Sequence, residues 1–266
     1  MSSLHLAGRL TALRHALSKF VVEGFFLPRS DEHLGGYVPA CAERLAWLTG
    51  FTGSAGLALV LPDVAAVFSD GRYQIQIRQQ VEQSVWSIKH MYETAPPLWA
   101  AEHAKGKAIG YDPRIVSIQD IEAFQKAGCQ MVALNRNPID GIWTDRPAPP
   151  SSPVLVQPLE LTGRENRAKI RDIADILRKN GQDAVLLPDP TSIAWLLNIR
   201  GRDLPFLPVA LCFAVLHVDE TVDLFIDPSR IDGSVSTHLG DTVRVRKSAE
   251  MAQVLQTLHG KTIRLD

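Results

Sequence analysis

Asp70-Gly71-Arg72-Tyr73 is the stretch of this 266-residue chain best suited to chemistry. Asp70 is placed to cap the start of a helix, where the helix dipole favours negative charge. Arg72 has no such explanation. A positive charge sits poorly in a first helical turn, whereas a guanidinium offers a planar fork of donors suited to a carboxylate. A peptide substrate and a facing subunit both carry carboxylates, so Arg72 is expected on a concave surface or at a subunit interface, with Asp70 and Tyr73 beside it. Upstream, Gly50-Phe-Thr-Gly-Ser-Ala-Gly56 lets the backbone turn and pack closely. Its glycines run GxxGxxG, and it follows a helix and opens a strand, the reverse of a dinucleotide-binding loop; no P-loop lysine is present. Ser54 is not set in a nucleophile elbow, because Thr52 occupies the first glycine position of GxSxG. Arg200, Arg202 and Asp203 follow Trp195 in a second loop. They either form an interdomain ion pair, the expected arrangement, or line a cleft. The eight histidines show no HExxH and no pair at helical ligand spacing, so no metal site is expected within the chain.

The elements that must position these residues follow from periodicity. Arg44 to Leu48 reads as a short helix. Leu57–Leu61 and Val64–Phe68 read as two antiparallel strands joined at Pro62-Asp63. The second strand delivers Asp70 to its end, and Tyr73, Ile77 and Val81 share one face of the helix that follows. Leu6, Leu10, Leu13, Leu17 and Phe20 make an N-terminal helical face. Gly24–Leu27 is a buried strand ended by Pro28, and a polar loop runs from Arg29 to Cys41. Strands are expected at Trp86–Met91, Ala108–Tyr111 and Gln130–Leu134. Ser117 and Asp120 start a helix bearing Ile118, Ile121 and Phe124.

Composition bounds the class. A hydrophobic fraction of 45% with 21% charged residues is that of a globular protein. Lys plus Arg total 28 against 29 Asp plus Glu, a net charge of −1, which supplies no basic field for nucleic acid. The longest apolar run, Val209 to Leu216, is too short for a bilayer span and suits a buried strand. The first twenty residues interleave basic side chains with leucines and are unlike a secretory signal. Cys41, Cys129 and Cys212 are widely spaced and unpaired, as reduced packing residues of a cytosolic protein would be.

Arg146 to Pro153 holds four prolines in eight residues, a stiff, extended linker. It separates domains at 1–150 and 151–266. Beyond it the pattern begins again. Ile170, Ile173 and Leu177 repeat Leu10, Leu13 and Leu17, and Asp183–Pro188 repeats Glu23–Pro28, both at an offset of 160. Ala194-Trp195-Leu196 repeats Ala46-Trp47-Leu48 at 148. Leu224-Phe-Ile-Asp227 answers Val67-Phe-Ser-Asp70, and Gly260–Asp266 answers Gly106–Asp112 at 154. Five matches in one order indicate two copies of one α/β domain. Residues 4–112 and 164–266 should superpose, with Trp47 and Trp195 at equivalent buried positions. In the first copy a helix and a strand follow Asp112. The second copy stops where that segment would begin, so it is either naturally shorter or truncated, and truncation is the expectation.

ERLAWLTGFTGSAG followed by SDGRYQIQ resembles the N-terminal domain of the Xaa-Pro aminopeptidases (aminopeptidase P) of the creatinase/prolidase superfamily. The likeness continues through Gly141–Pro147, Ile193–Asp203 and Leu224–Asp227. The resemblance implies two creatinase N-terminal-like domains, each a mixed β-sheet with flanking helices, ahead of a catalytic domain absent here. It also implies a cytoplasmic homodimeric metallopeptidase that releases the residue preceding proline. Two divalent ions, commonly manganese, would be held in that catalytic domain by two Asp, one His and two Glu. No catalytic or metal-binding residue carries over to this chain. The candidates for contact with substrate or subunit are Arg72, Asp70, Tyr73, Arg200 and Asp203. The rival reading is a stand-alone peptide- or protein-binding module of the same fold.

Overall fold

The computed structural model describes residues 5–266; the start of the N-terminal segment and residue 4, where the first repeat begins, lie outside the described residues. The chain divides into two compact units, Met1–Ala148 and Pro149–Asp266.

The first unit runs α1 (Leu6–Leu17), β1 (Gly24–Pro28), α2 (Arg44–Thr49), β2 (Leu57–Val60), β3 (Ala65–Ser69), α3 (Gln74–Gln80), β4 (Ser87–His90), α4 (Pro96–Ala104), β5 (Ile109–Tyr111), α5 (Ile118–Lys126) and β6 (Met131–Ala133). Its sheet has the order β4-β3-β2-β1-β5-β6. Only β2 is reversed: it pairs antiparallel with β1 and β3, and the remaining pairs are parallel. Phe25, Phe26 and Leu27 of β1 are all buried, as a central strand covered on both faces requires. Phe26 meets Phe124 of α5 with ring centroids 4.8 Å apart, and Phe68 meets Trp99 of α4 edge-on at 5.6 Å. Leu10, Leu13 and Leu17 of α1 and Leu45 and Leu48 of α2 join the same core.

The second unit runs β7 (Leu155–Val156), α6 (Leu159–Thr162), α7 (Asn166–Lys179), β8 (Ala184–Leu187), α8 (Pro190–Leu197), β9 (Ile199–Arg200), β10 (Phe213–His217), β11 (Val222–Phe225), α9 (Gly233–Leu239), β12 (Val243–Arg246), α10 (Met251–Thr257) and β13 (Ile263–Leu265). The main sheet has the order β12-β11-β10-β8-β13, and β7 pairs with β9 apart from it. This is the first sheet's order without a sixth strand, and β10 is the one reversed strand. The registers agree residue by residue with the sequence repeat. Leu27 pairs with Ala58 and Ala58 with Val67; Leu187 pairs with Ala214 and Ala214 with Leu224. Gly24 pairs with Ile109, and Ala184 with Ile263.

A cation clamp is repeated as well. Arg9 donates to the Trp47 carbonyl at the end of α2 and lies 4.9 Å from the Trp47 ring centroid. Lys169 donates to the Trp195 carbonyl at 2.8 Å and lies 4.6 Å from the Trp195 ring centroid. Each cation serves the carbonyl-rich end of a helix. The residue after each helix, Gly50 or Asn198, is left-handed with φ of 82° or 52°.

The expected equivalent burial of Trp47 and Trp195 needs correction. Trp47 is 8% exposed but Trp195 is 52% exposed. Trp47 is covered by Trp143, stacked at 5.6 Å, which belongs to a segment after β6 that has no counterpart in residues 149–266. Ile118 is exposed, leaving Ile121 and Phe124 to anchor α5. Helix α4 opens on Pro96-Pro97, and at the first two helical positions proline costs no hydrogen bond.

Asp223 of β11 is buried against Arg246 (2.6 Å), Arg244 (3.2 Å) and His217 (2.8 Å). Burial pushes its carboxyl up, but the hydrogen bonds from Arg246 and His217 and the charges of both arginines outweigh this and hold it below the usual carboxylate range. Buried Asp112 is likewise held low by Arg114 and Asn137 against the effect of burial. Both therefore ionise at lower pH folded than unfolded. Their stabilisation is complete above the unfolded carboxyl range of about pH 4 and is lost as pH falls through the folded values. The urea midpoint should accordingly drop on acidification below about pH 4, and Asp223→Asn should flatten the drop. A midpoint that rose on acidification would contradict this assignment.

Candidate functional site

Every residue of β3 is buried, and Asp70 follows it at the carboxyl edge of the sheet. Asp70 accepts the Arg72 N–H at 2.9 Å and so caps a single 3-10 turn, Gly71–Tyr73, that leads into α3. The Arg72 side chain folds back on the same carboxylate. Its Nε donates to Oδ1 at 3.1 Å and its Nη2 to Oδ2 at 2.7 Å. The Arg72 side chain stays 66% exposed, and its guanidinium carbon lies 5.3 Å from the Tyr73 ring centroid. With Asp70, Gly71 and Tyr92 it lines a shallow hollow. Hydrogen bonding from Arg72 holds the Asp70 carboxyl below its ordinary range, and Asp70 in turn raises the Arg72 value. The result is a fixed cation with donor capacity left over.

The glycine loop supports this turn from behind. Gly50 takes the left-handed conformation that ends α2. A Cβ on Gly53 would lie 2.2 Å from the Phe51 ring and 2.8 Å from Tyr73, and one on Gly56 would lie 3.0 Å from the Phe68 carbonyl. Phe51 is fully buried and meets Tyr73 edge-on at 5.7 Å. Ser54 Oγ and Tyr73 Oη are 2.5 Å apart, and this hydrogen bond lowers the Tyr73 hydroxyl from its ordinary value. Ser54 thus braces Tyr73, which in turn supports Arg72.

The remaining candidates are engaged within the second unit. Arg200 Nη1 donates to the carbonyls of Ala194 (3.1 Å) and Ile199 (2.8 Å), closing the end of α8. The Arg202 N–H donates to Ser152. Asp203 is buried, paired with Arg230 at 2.6 Å, and accepts from Ser152 Oγ and the Leu211 N–H. The expected interdomain ion pair is therefore corrected: the partner of Asp203 lies in its own unit. Burial explains the choice, since a carboxylate removed from water needs a close cation and further donors. Sequence reasoning missed Arg230 because it lies 27 residues away along the chain. It also missed the buried pair of Arg44 with Asp140 (2.7 and 3.1 Å), to which Arg146 adds a second cation.

The repeat isolates what is particular to Arg72. By strand register the counterpart of Asp70-Gly71-Arg72 is Asp227-Pro228-Ser229. Asp227 caps its own 3-10 turn through the Ser229 N–H at 3.0 Å. The turn forms with serine in the arginine position, so Arg72 is not required by the fold.

The profile of the creatinase/prolidase N-terminal domain matches residues 9–139, and a second profile of that description matches residues 145–266. The chain belongs to the creatinase/prolidase N-terminal domain family. It holds two such domains. A probable Xaa-Pro aminopeptidase P of Ajellomyces capsulatus is 34% identical over 254 residues, covering 92% of this chain and 41% of that protein. One from Coccidioides posadasii is 34% identical over 258 residues, covering 94% of this chain and 42% of its own length. The crystal structure of X-prolyl aminopeptidase from Caenorhabditis elegans, described as a cytosolic enzyme with a di-nuclear active site, superposes with a TM-score of 0.89. It is 26% identical and covers 96% of this chain and 45% of the worm chain. The chain thus spans about two fifths of the length of these fungal relatives.

The two kinds of arginine in this creatinase N-terminal pair separate by stability. Removing one partner of a buried ion pair costs about 3–5 kcal/mol, and Asp203→Ala should lower unfolding stability by that amount in urea titrations. Arg72→Ala should leave the midpoint nearly unchanged. A reversed ranking would make Arg72 the structural residue.

Proposed function

We propose that this chain is the non-catalytic N-terminal region of a metal-dependent Xaa-Pro aminopeptidase, a hydrolase that releases the N-terminal residue preceding proline. The observation that carries this reading is the likeness to such enzymes along 92% or more of the chain, at only 41–45% of their length. Among the described residues no group of three or more His, Cys, Asp or Glu is placed to hold a metal ion. The residues here therefore do not fit a di-nuclear centre, and no catalytic step is assigned to them. The two divalent ions, manganese by family resemblance, belong on this reading to the part of the enzyme that this chain does not span.

The role left to the chain is to shape the substrate cleft and the homodimer of a cytosolic enzyme. A cytosolic location agrees with the description of the worm relative; no described helix is long and apolar enough to cross a membrane. Arg72 is the contact residue, binding a carboxylate of the peptide or of the facing subunit, with Asp70 fixing the fork and Tyr73 backing it. Its exposure, and the serine at the equivalent turn, support this role.

The purified 266-residue chain should release no N-terminal residue from an Xaa-Pro peptide, with or without added manganese. Metal-dependent release in proportion to this protein would overturn the reading. In the full-length enzyme, Arg72→Ala should lower kcat/KM by about 10- to 100-fold, the equivalent of one lost charged hydrogen bond. Full activity in the folded variant would remove Arg72 from the site.

A further inference from the structure

A pocket of about 300 Å³ opens in the second unit between α10 and strands β10, β11 and β12, on the side of the sheet away from β13. Buried Asp223 forms its floor. Its Oδ1 lies 3.2 Å from Arg244 Nε and 2.6 Å from Arg246 Nε, and its Oδ2 lies 2.8 Å from His217 Nε2. Gln253 and Val254 of α10, with Glu250 just before it, line the opposite wall.

The first unit has the same strands and helix without this cluster. By ladder register, Asp223 and Arg244 stand where the first unit has Ala66 and Ser87, and Arg246 stands where it has Lys89. His217 answers Leu61, the next residue after the paired Val60 and Leu216. Helices α4 and α10 are closed alike: the Lys107 N–H donates to the Ala104 carbonyl and the Lys261 N–H to the Leu258 carbonyl, both at 3.0 Å. The offset of 154 therefore pairs Trp99 with Gln253. Trp99 is buried edge-on against Phe68, the register counterpart of Phe225. The pocket is thus the space that an indole fills in the first unit. The second unit leaves it open and sets charges around it. The fold demands neither change, and apolar residues avoid the desolvation cost of a buried ion cluster.

We propose that this pocket binds a small phosphomonoester, with its phosphate on Arg244 and Arg246. Asp223 holds both guanidiniums by Nε, and Arg244 Nη2 donates to Thr221 Oγ1 at 2.8 Å. Arg244 Nη1 and Arg246 Nη2 have no acceptor among the described residues. Two guanidiniums fixed side by side on one carboxylate, with donors left over, suit an oxyanion that takes hydrogen bonds at several oxygens. One aspartate between two arginines leaves the floor net positive. The volume exceeds that of a phosphate group and leaves room for a small organic part. Half-exposed Glu250, 3.7 Å from Arg246, and exposed Gln253 offer acceptors and a donor for hydroxyls on that part. The inference rests on the second unit and its comparison with the first, and does not depend on the peptidase reading.

The test is calorimetric titration of the 266-residue chain with inorganic phosphate, glycerol 3-phosphate and acetate, at an ionic strength fixed with sodium chloride. One saturable site is expected, tightest for the ester and weakest for acetate. Gln253→Trp restores the first unit's side chain and should abolish binding in the folded variant. Arg244→Gln, at a half-exposed position, should weaken phosphate binding about 10- to 100-fold, the equivalent of one charged hydrogen bond. Absence of a saturable site would overturn the proposal, as would phosphate affinity unchanged in either folded variant. Acetate binding more tightly than phosphate would overturn the ligand class, and free phosphate binding as tightly as the ester would overturn the ester. Arg244→Gln decides the matter if Gln253→Trp does not fold.

Discussion

The reversal of a single strand governs this molecule. In each unit one antiparallel strand, β2 or β10, stands between two parallel neighbours. The backbone groups of a central strand must all be paired, so this strand fixes the register of both neighbours at once. Because β1, β3, β4, β5 and β6 run in one direction, their carboxyl ends share one edge of the first sheet. The Asp70 turn and the Asp112 turn both lie on it, each closed by an arginine two residues on. The edge is thus lined by exposed guanidiniums held in place by caps, in the position where open α/β sheets receive ligands.

Duplication makes a comparison that a single domain would not allow. Features present in both copies are those the fold needs: the strand order, the aspartate cap at the end of the third strand, and the cation over the tryptophan that ends the second helix. Lys169 and Arg9 differ chemically yet serve the same carbonyl and the same ring, so the constraint there is a positive charge at a helix end. Arg72 is present in one copy only. The absence of a structural demand for it is what separates it from the arginines locked in buried pairs.

The strands and the repeat were legible because they are written in local patterns. Runs such as Gly24–Leu27 and Val64–Phe68 are apolar and bounded by turn residues, and their offsets reproduced the ladder registers. Arg72 and the glycine loop were legible from charge and backbone chemistry. Long-range pairing was not: nothing near Asp203 in the chain points to Arg230, and nothing near Arg44 points to Asp140. The exposure of Trp195 was hidden for the same reason, since the cover of its counterpart comes from Trp143, 96 residues beyond Trp47.

Strand β12 reads Val-Arg-Val-Arg and forms one outer margin of the second sheet. Arg244 and Arg246 both turn onto the face that holds Asp223, and Arg246 also approaches Glu250. A foreign strand adding to this margin would cover those guanidiniums and strip their remaining water without offering a carboxylate in return. Charges aimed inward from an edge make such pairing unfavourable. The ion cluster that stabilises the interior of the sheet therefore also guards it against edge-to-edge aggregation.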